Sequence, residues 1–143
     1  MWSRELFDLM IYLEKNIPDI PDGPLYEFGC YPGVATKQIR KVVPLKREVI
    51  GFDMLECNIE NTVVCDVFNL PDQYDKPIAI CINDLYSEQW ELLFEQIYPK
   101  ILPGGFYIQS LKGPDCHVND YLAKLERINV GPRFIFAGRK KDV

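Results

Sequence analysis

Apolar residues recur at helical spacing in residues 3–16, where Leu6, Phe7, Leu9, Met10 and Leu13, continued by Ile17, make one stripe. Ser3 is placed to cap this helix and Pro18 to stop it. Pro18, Pro21 and Pro24, with Asp22-Gly23 between them, predict an extended connector. Short apolar runs then alternate with helical patterns. Leu25-Tyr26-Glu27-Phe28 reads as a strand, and residues 34–43 carry Val34, Ile39, Val42 and Val43 at helical spacing before Pro44. Residues 48–53 and 62–66 read as strands, each ending in an acid, Asp53 and Asp66. The crossover between them, 54–61, is shorter than the roughly 10–12 residues of a full βαβ connection. Residues 67–76 lack periodicity, and Asn69, Pro71, Asp72 and Asp75 mark a loop. Residues 77–82 form a continuous apolar run of the kind buried on both faces, ending at Asn83-Asp84. Ser87 can cap a helix that turns Trp90, Leu93, Phe94 and Ile97 inward and stops before Pro99. Pro103-Gly104-Gly105 predicts a turn into a strand over 106–111, and Val118, Leu122 and Leu125 predict a helix near 117–127. Residues 133–138 read as a last strand, with which 128–130 can pair across Gly131-Pro132.

This order specifies an α/β domain with a Rossmann-like, mainly parallel sheet of about six or seven strands and a reduced set of flanking helices. In such a sheet the ligand lies at the carboxyl ends of the strands. At 143 residues one domain, 1–143, is expected. The net charge of −5 and a sequence pI near 4.9 disfavour nucleic acid as a partner, and Arg139-Lys140-Lys141 reads as a solvated cluster. No apolar run approaches the roughly 20 residues that span a bilayer, and no basic region leads into an apolar core, so no membrane partner and a cytoplasmic location are expected. Five cysteines, Cys30, Cys57, Cys65, Cys81 and Cys116, include no Cys-x-x-Cys pair and suggest neither a disulfide framework nor a zinc site.

The candidate chemistry begins after the first strand, where Glu27-Phe28-Gly29-Cys30-Tyr31-Pro32-Gly33 makes a glycine-bounded turn into a helix. Gly29 permits the sharp turn, and Gly33 is expected to remove a Cβ from a ligand's path. A dinucleotide fingerprint needs glycine where Tyr31 stands, and a P-loop needs a Gly-Lys-Ser/Thr end that is missing. Asp53 ends the second strand, where an acid either accepts hydrogen bonds from ribose hydroxyls or makes an Asx-turn. Asp66 can accept a bond from an adenine amino group. Asp84, beside Asn83 and Tyr86, ends the fourth strand, where an acid can cap the loop before the next helix. His117, the only histidine, either faces the same cleft or is solvated, and Tyr31 either packs on a cofactor or covers the loop.

Glu-x-Gly-x-x-x-Gly resembles the first motif of the class I S-adenosylmethionine-dependent methyltransferases. Gly51-Phe52-Asp53, Cys65-Asp66 and Leu102-Pro103-Gly104-Gly105 recur in the order found there. Val49-Ile50-Gly51-Phe52-Asp53, Asn83-Asp84-Leu85-Tyr86 and the stretch 98–105 most resemble the macrocin O-methyltransferase-like branch. The resemblance covers residues 25–112. It implies S-adenosylmethionine as cofactor, with Glu27, Gly29 and Gly33 around its methionine end. Asp53 would lie at the ribose and Asp66 at the adenine, with Tyr31, Met54, Val67 and Asn83 as further cofactor contacts. It implies methyl transfer to a small-molecule acceptor, such as a hydroxyl, with Asp84, Tyr86 and His117 as catalytic candidates, Asp84 as a base or acceptor contact. Two departures bear on metal: the branch has an acid where this chain has Ile82, and an Asp pair where it has Gln109-Ser110-Leu111-Lys112. No metal site is therefore expected.

The same departures, with the missing helices, support a rival reading as a binding or structural module without transfer activity. A nicotinamide-dependent oxidoreductase is disfavoured by Tyr31. The short crossovers around the third strand also leave one sheet edge thinly covered. Either the N-terminal helix folds across that edge or a second subunit does, and the breadth of apolar surface at Trp2, Phe7 and Met10 points to a homodimer.

Overall fold

The computed structural model describes residues 3–43, 47–111, 120–129 and 134–141. Seven strands form one sheet: β1 (Leu25–Phe28), β2 (Val49–Asp53), β3 (Thr62–Val64), β4 (Ile78–Asn83), β5 (Ile101–Ser110), β6 (Leu125–Arg127) and β7 (Ile135–Lys140). Their order is β3-β2-β1-β4-β5-β7-β6. The first five run parallel, and β7 is antiparallel to both β5 and β6. From β1 the chain winds outward through β2 to β3, then returns to lay β4 on the other flank of β1. That reversal opens a crevice at the carboxyl ends of β1 and β4.

The strands are apolar on both sides because both faces are covered. Helix α1 (Ser3–Asn16) and helix α2 (Val34–Ile39) cover one face. There Leu6, Met10, Leu13 and Ile39 share a core with Leu25, Ile80, Ile82, Phe106 and Ile108. The opposite face packs Tyr26, Phe28, Phe52, Cys81 and Tyr107 against Leu93, Phe94 and Ile97 of helix α3 (Trp90–Ile97). Phe28 stacks on Phe52 at 5.3 Å between centroids, so β1 and β2 are locked together just below the crevice. The connector 18–24 is anchored by Arg47, whose buried guanidinium bonds Glu14 and donates to the carbonyls of Pro21 and Gly23 at 3.0 and 2.9 Å.

Five elements differ from the sequence expectations. Helix α2 ends at Ile39, and residues 40–43 continue as turns, with the Val43 N–H still bonded to the Ile39 carbonyl. Pro103-Gly104-Gly105 lies inside β5 as a bulge: Ile101 pairs with Ile78 and Phe106 with Ile80, so the intervening β5 residues loop out of register. Gly104 makes this turn at φ 80. The helix expected near 117–127 is, in its described part, a 3-10 turn over Asp120–Lys124 followed by strand β6. Pairing wins there, because Leu125 and Arg127 find ladder partners in Lys140 and Gly138, and a helix would leave that flank of β7 unpaired. The last strand is Ile135–Lys140, later than expected, and beside β5 it pairs with 125–127, the Ile128 N–H bond to Ala137 extending that pairing among the described residues. Ser87 opens a 3-10 turn ahead of α3, whose N-cap position is taken by Gln89 instead.

Candidate active site

The crevice holds a cleft of about 540 Å³, lined by Gly29 and Tyr31 from the β1 loop, Asp53, Met54 and Leu55 after β2, Asp66, Val67 and Phe68 after β3, and Asp84, Leu85, Tyr86 and Gln89 after β4. This size falls within the roughly 300–1,000 Å³ of small-molecule sites. Its rim is unusually apolar for surface: Tyr31, Met54, Leu55 and Tyr86 are 53%, 72%, 57% and 77% exposed. Four of the chain's exposed large hydrophobic residues thus gather around one opening, where water contact is least favourable and a ligand's apolar body would relieve it.

The β1 loop is shaped by close backbone approach. Gly29 has φ 85, and a Cβ there would stand 2.6 Å from the Asp84 carbonyl oxygen, so any side chain would push the β1 and β4 loops apart. Gly33 has φ 96, but its missing Cβ faces Ile59 Cδ1 at 2.9 Å rather than the cleft. The sequence argument that Gly33 clears a ligand's path is therefore replaced by one of backbone conformation and packing. Gly33 does not line the cleft, and neither do Glu27 and Asn83.

Asp53 realises the Asx-turn: its Oδ1 accepts the Leu55 N–H at 2.9 Å, while Oδ2 accepts the Tyr31 N–H at 2.9 Å. A carboxylate has about four acceptor positions, so two backbone bonds leave capacity for two further donors from the cleft. Asp66 is also in an Asx-turn, with Oδ1 on the Phe68 N–H at 3.0 Å. The Asp84 backbone N–H donates to the Phe28 carbonyl at 2.8 Å, which sets this residue at the mouth of the β1–β4 crevice.

Glu27 is fully buried beneath the loop and points to the α2 side, where the Thr36 hydroxyl donates to its Oε1. Its Oε2 is buried without a partner. Burial pushes the carboxyl up to about 8; the Thr36 bond opposes this, and Asp84 and Asp53 add to it. Asn83 turns the other way, toward α3. Its Nδ2 donates to the Tyr107 hydroxyl at 2.7 Å and to the Trp90 carbonyl at 3.3 Å, the Tyr107 hydroxyl donates to Gln109 Oε1 at 2.6 Å, and Tyr121 donates to the same oxygen at 3.0 Å. Asn83 is thus a core residue of a buried polar network and holds Tyr107 below the cleft floor.

The structure therefore brings together Gly29, Tyr31, Asp53, Met54, Asp66, Val67, Asp84 and Tyr86 of the residues anticipated from sequence. His117 lies outside the described residues. Leu55, Phe68, Leu85 and Gln89 line the cleft without having been anticipated, and Thr36 emerges as the partner of Glu27. Thr36 had one available signal, a hydroxyl on the inner side of a short helix three residues beyond Gly33.

No family model matches the chain, and no curated protein matches it. Solved structures do. Two match over nearly the full length of both chains: an S-adenosyl-L-methionine methyltransferase from Silicibacter pomeroyi DSS-3 (TM-score 0.68, 19% identity, 96% of this chain and 91% of that one); and a protein assigned as a ribosomal RNA methyltransferase from Plasmodium falciparum (0.62, 15%, 99% and 97%). Two are larger proteins, of which this chain spans about half: the plantazolicin methyltransferase BpumL with S-adenosylhomocysteine (0.58, 20%, 75% of this chain and 46% of that one); and MycE from the mycinamycin biosynthetic pathway with magnesium, S-adenosylhomocysteine and mycinamycin VI (0.62, 14%, 97% and 48%). The chain has the fold of the class I S-adenosylmethionine-dependent methyltransferases.

Proposed function

We propose that the chain binds S-adenosylmethionine in this cleft and transfers its methyl group to a small-molecule acceptor. The observation that carries the reading is the meeting of Asp53, Asp66 and Asp84 with Gly29 and an apolar rim at the one switch point of a methyltransferase fold. The residues suit the cofactor. Asp53 has acceptor capacity left for ribose hydroxyls, and the unpartnered Oε2 of Glu27 lies below the loop that would hold a cationic methionine end. Met54, Leu55, Val67 and Phe68 offer an apolar wall to a flat base.

When bound, the cofactor supplies an already electrophilic sulfonium methyl, so the protein's task is chiefly in-line positioning of the acceptor. Asp84, which lines the cleft at the crevice mouth, would orient an acceptor or take its proton, with Tyr86 as an apolar shelf beside it. A small acceptor is supported by charge: the described residues that line the cleft include no lysine or arginine, and the chain carries −5 overall. Transfer without a metal is supported by the placement of Ile82 in the core under α1 and of Gln109 in the buried tyrosine network, since neither reaches the cleft.

A binding module without transfer activity is the second reading, favoured by the open rim and by the absence of further secondary structure over the cleft among the described residues. Calorimetry with S-adenosylmethionine, S-adenosylhomocysteine and NADH tests cofactor binding: the first two are expected to bind and NADH is not. Binding of NADH alone would sink both readings. Release of S-adenosylhomocysteine with candidate acceptors, amines and ribosomal RNA fragments included, then separates an enzyme from a module.

A further inference from the structure

Two side chains beside the cleft have no part in the chemistry above. Cys30 follows Gly29 in the β1 loop, and Cys57 lies in the β2–β3 crossover, 27 residues further along. Their sulfurs are 3.8 Å apart, and both residues are buried. The space around them is closed: a Cβ on Gly51 would stand 2.7 Å from Cys30 Sγ, and one on Gly33 would stand 3.4 Å from Cys57 Cβ. The glycines thus make room for the thiol pair. No third histidine, cysteine or carboxylate joins the pair to make a metal cluster among the described residues, so the pair is a dithiol rather than a metal site.

We propose that Cys30 and Cys57 are a redox-sensitive pair that closes to an intramolecular disulfide. With hydrogen peroxide as oxidant, one thiol takes an oxygen to become a sulfenic acid and releases a first water. The second sulfur then displaces the sulfenic oxygen, which leaves with the second thiol's proton as a second water. In sum two S–H bonds and the O–O bond break, one S–S bond and two O–H bonds form, and two electrons pass from sulfur to oxygen.

The bond would act on the cofactor side of the cleft. The same two loops are already clasped by Asp53, through the N–H of Tyr31 next to Cys30 and the N–H of Leu55 two residues before Cys57. Cys57 also points its thiol at the Leu55 carbonyl, 3.8 Å away, and would give up that contact on closing. Oxidation therefore fixes the distance between the walls that carry Tyr31 and Met54. Burial pushes both thiols up, so little thiolate is present and closure is slow.

The test uses the whole chain and reads thiols, so it stands or falls separately from cofactor binding. Incubation with diamide at about pH 8 is expected to lower the mass by two hydrogens and the titratable thiols from five to three. Cleavage after Glu60 separates Cys57 from Cys65, and the oxidised digest should contain the Cys30 and Cys57 peptides joined and separable by dithiothreitol. The oxidised protein should also resist urea better than the reduced one, and Cys57→Ala should lose that difference. Separate alkylation of Cys30 and Cys57 after oxidation, or linkage of either to another cysteine, overturns the proposal without recourse to any variant.

Discussion

Replacing Glu27 by glutamine tests the electrostatic account of the loop most directly. In the folded protein burial pushes the Glu27 carboxyl up to about 8, from an ordinary value of 4.5. Between those values the native state holds a proton that the unfolded chain has lost, so stability attributable to this group is complete below 4.5 and is lost as pH rises toward 8. At roughly 1.4 kcal/mol for each pH unit of that window, the whole decline is on the order of 5 kcal/mol. Glutamine is neutral throughout and keeps an oxygen for the Thr36 hydroxyl, so its stability lacks this decline. Unfolding both proteins in urea at about pH 5 and about pH 7.5 should show the variant gaining about 3 kcal/mol on the wild type between the two conditions. Any constant cost of the new amide group cancels in that difference. Two pH profiles that run parallel would refute the buried, proton-holding carboxyl.

Four further outcomes follow from the same geometry. Cofactor binding near pH 7 should release a proton, since a cation above the loop favours ionised Glu27; calorimetry in buffers of unlike ionisation enthalpy reads it, and equal heats would deny it. Asp53→Ala should weaken S-adenosylmethionine binding by on the order of 1.5–3 kcal/mol, and unchanged affinity in a folded variant removes Asp53 from the ribose site. Magnesium and chelators should leave affinity and transfer unchanged; activity lost to a chelator and restored by magnesium contradicts this. A dimer is expected in sedimentation at micromolar concentration, because α1 packs on the central strands and leaves β3 thinly covered, with Val64 57% exposed. A monomer with α1 protected from exchange would mean that this cover suffices.

The central strands were legible because a parallel sheet buried on both faces writes itself as apolar runs, as at Ile78 to Ile82. Asp53, Asp66 and Asp84 were legible because strand ends can be read from where such runs stop. The bulge at Gly104 was not, since Pro-Gly-Gly marks a change of direction without saying whether the strand resumes its pairing. Nor was β6: Leu122 and Leu125 fit a helical stripe, and only the ladder to β7 decides otherwise. The orientation of Asn83 was within reach, because strand alternation sets it on the Cys81 side, facing α3, and its neighbour Asp84 toward the crevice. Leu55, Phe68 and Gln89 sit in turns, where no periodicity tells which side chains face a cleft.

The winding of the sheet has a thermodynamic consequence. Its cleft is walled by Gly29, Tyr31, residues 53–55, 66–68 and 84–86, and Gln89, brought together only when β2 and β4 have docked on opposite flanks of β1. No contiguous fragment of the chain short of that span contains the walls, so a ligand held there selects the assembled sheet over every partly folded form. Ligand at about a hundred times its dissociation constant would add about 2.7 kcal/mol to the stability of the whole sheet, and a thermal-shift screen would therefore read occupancy of the cleft as protection of strands that touch no ligand.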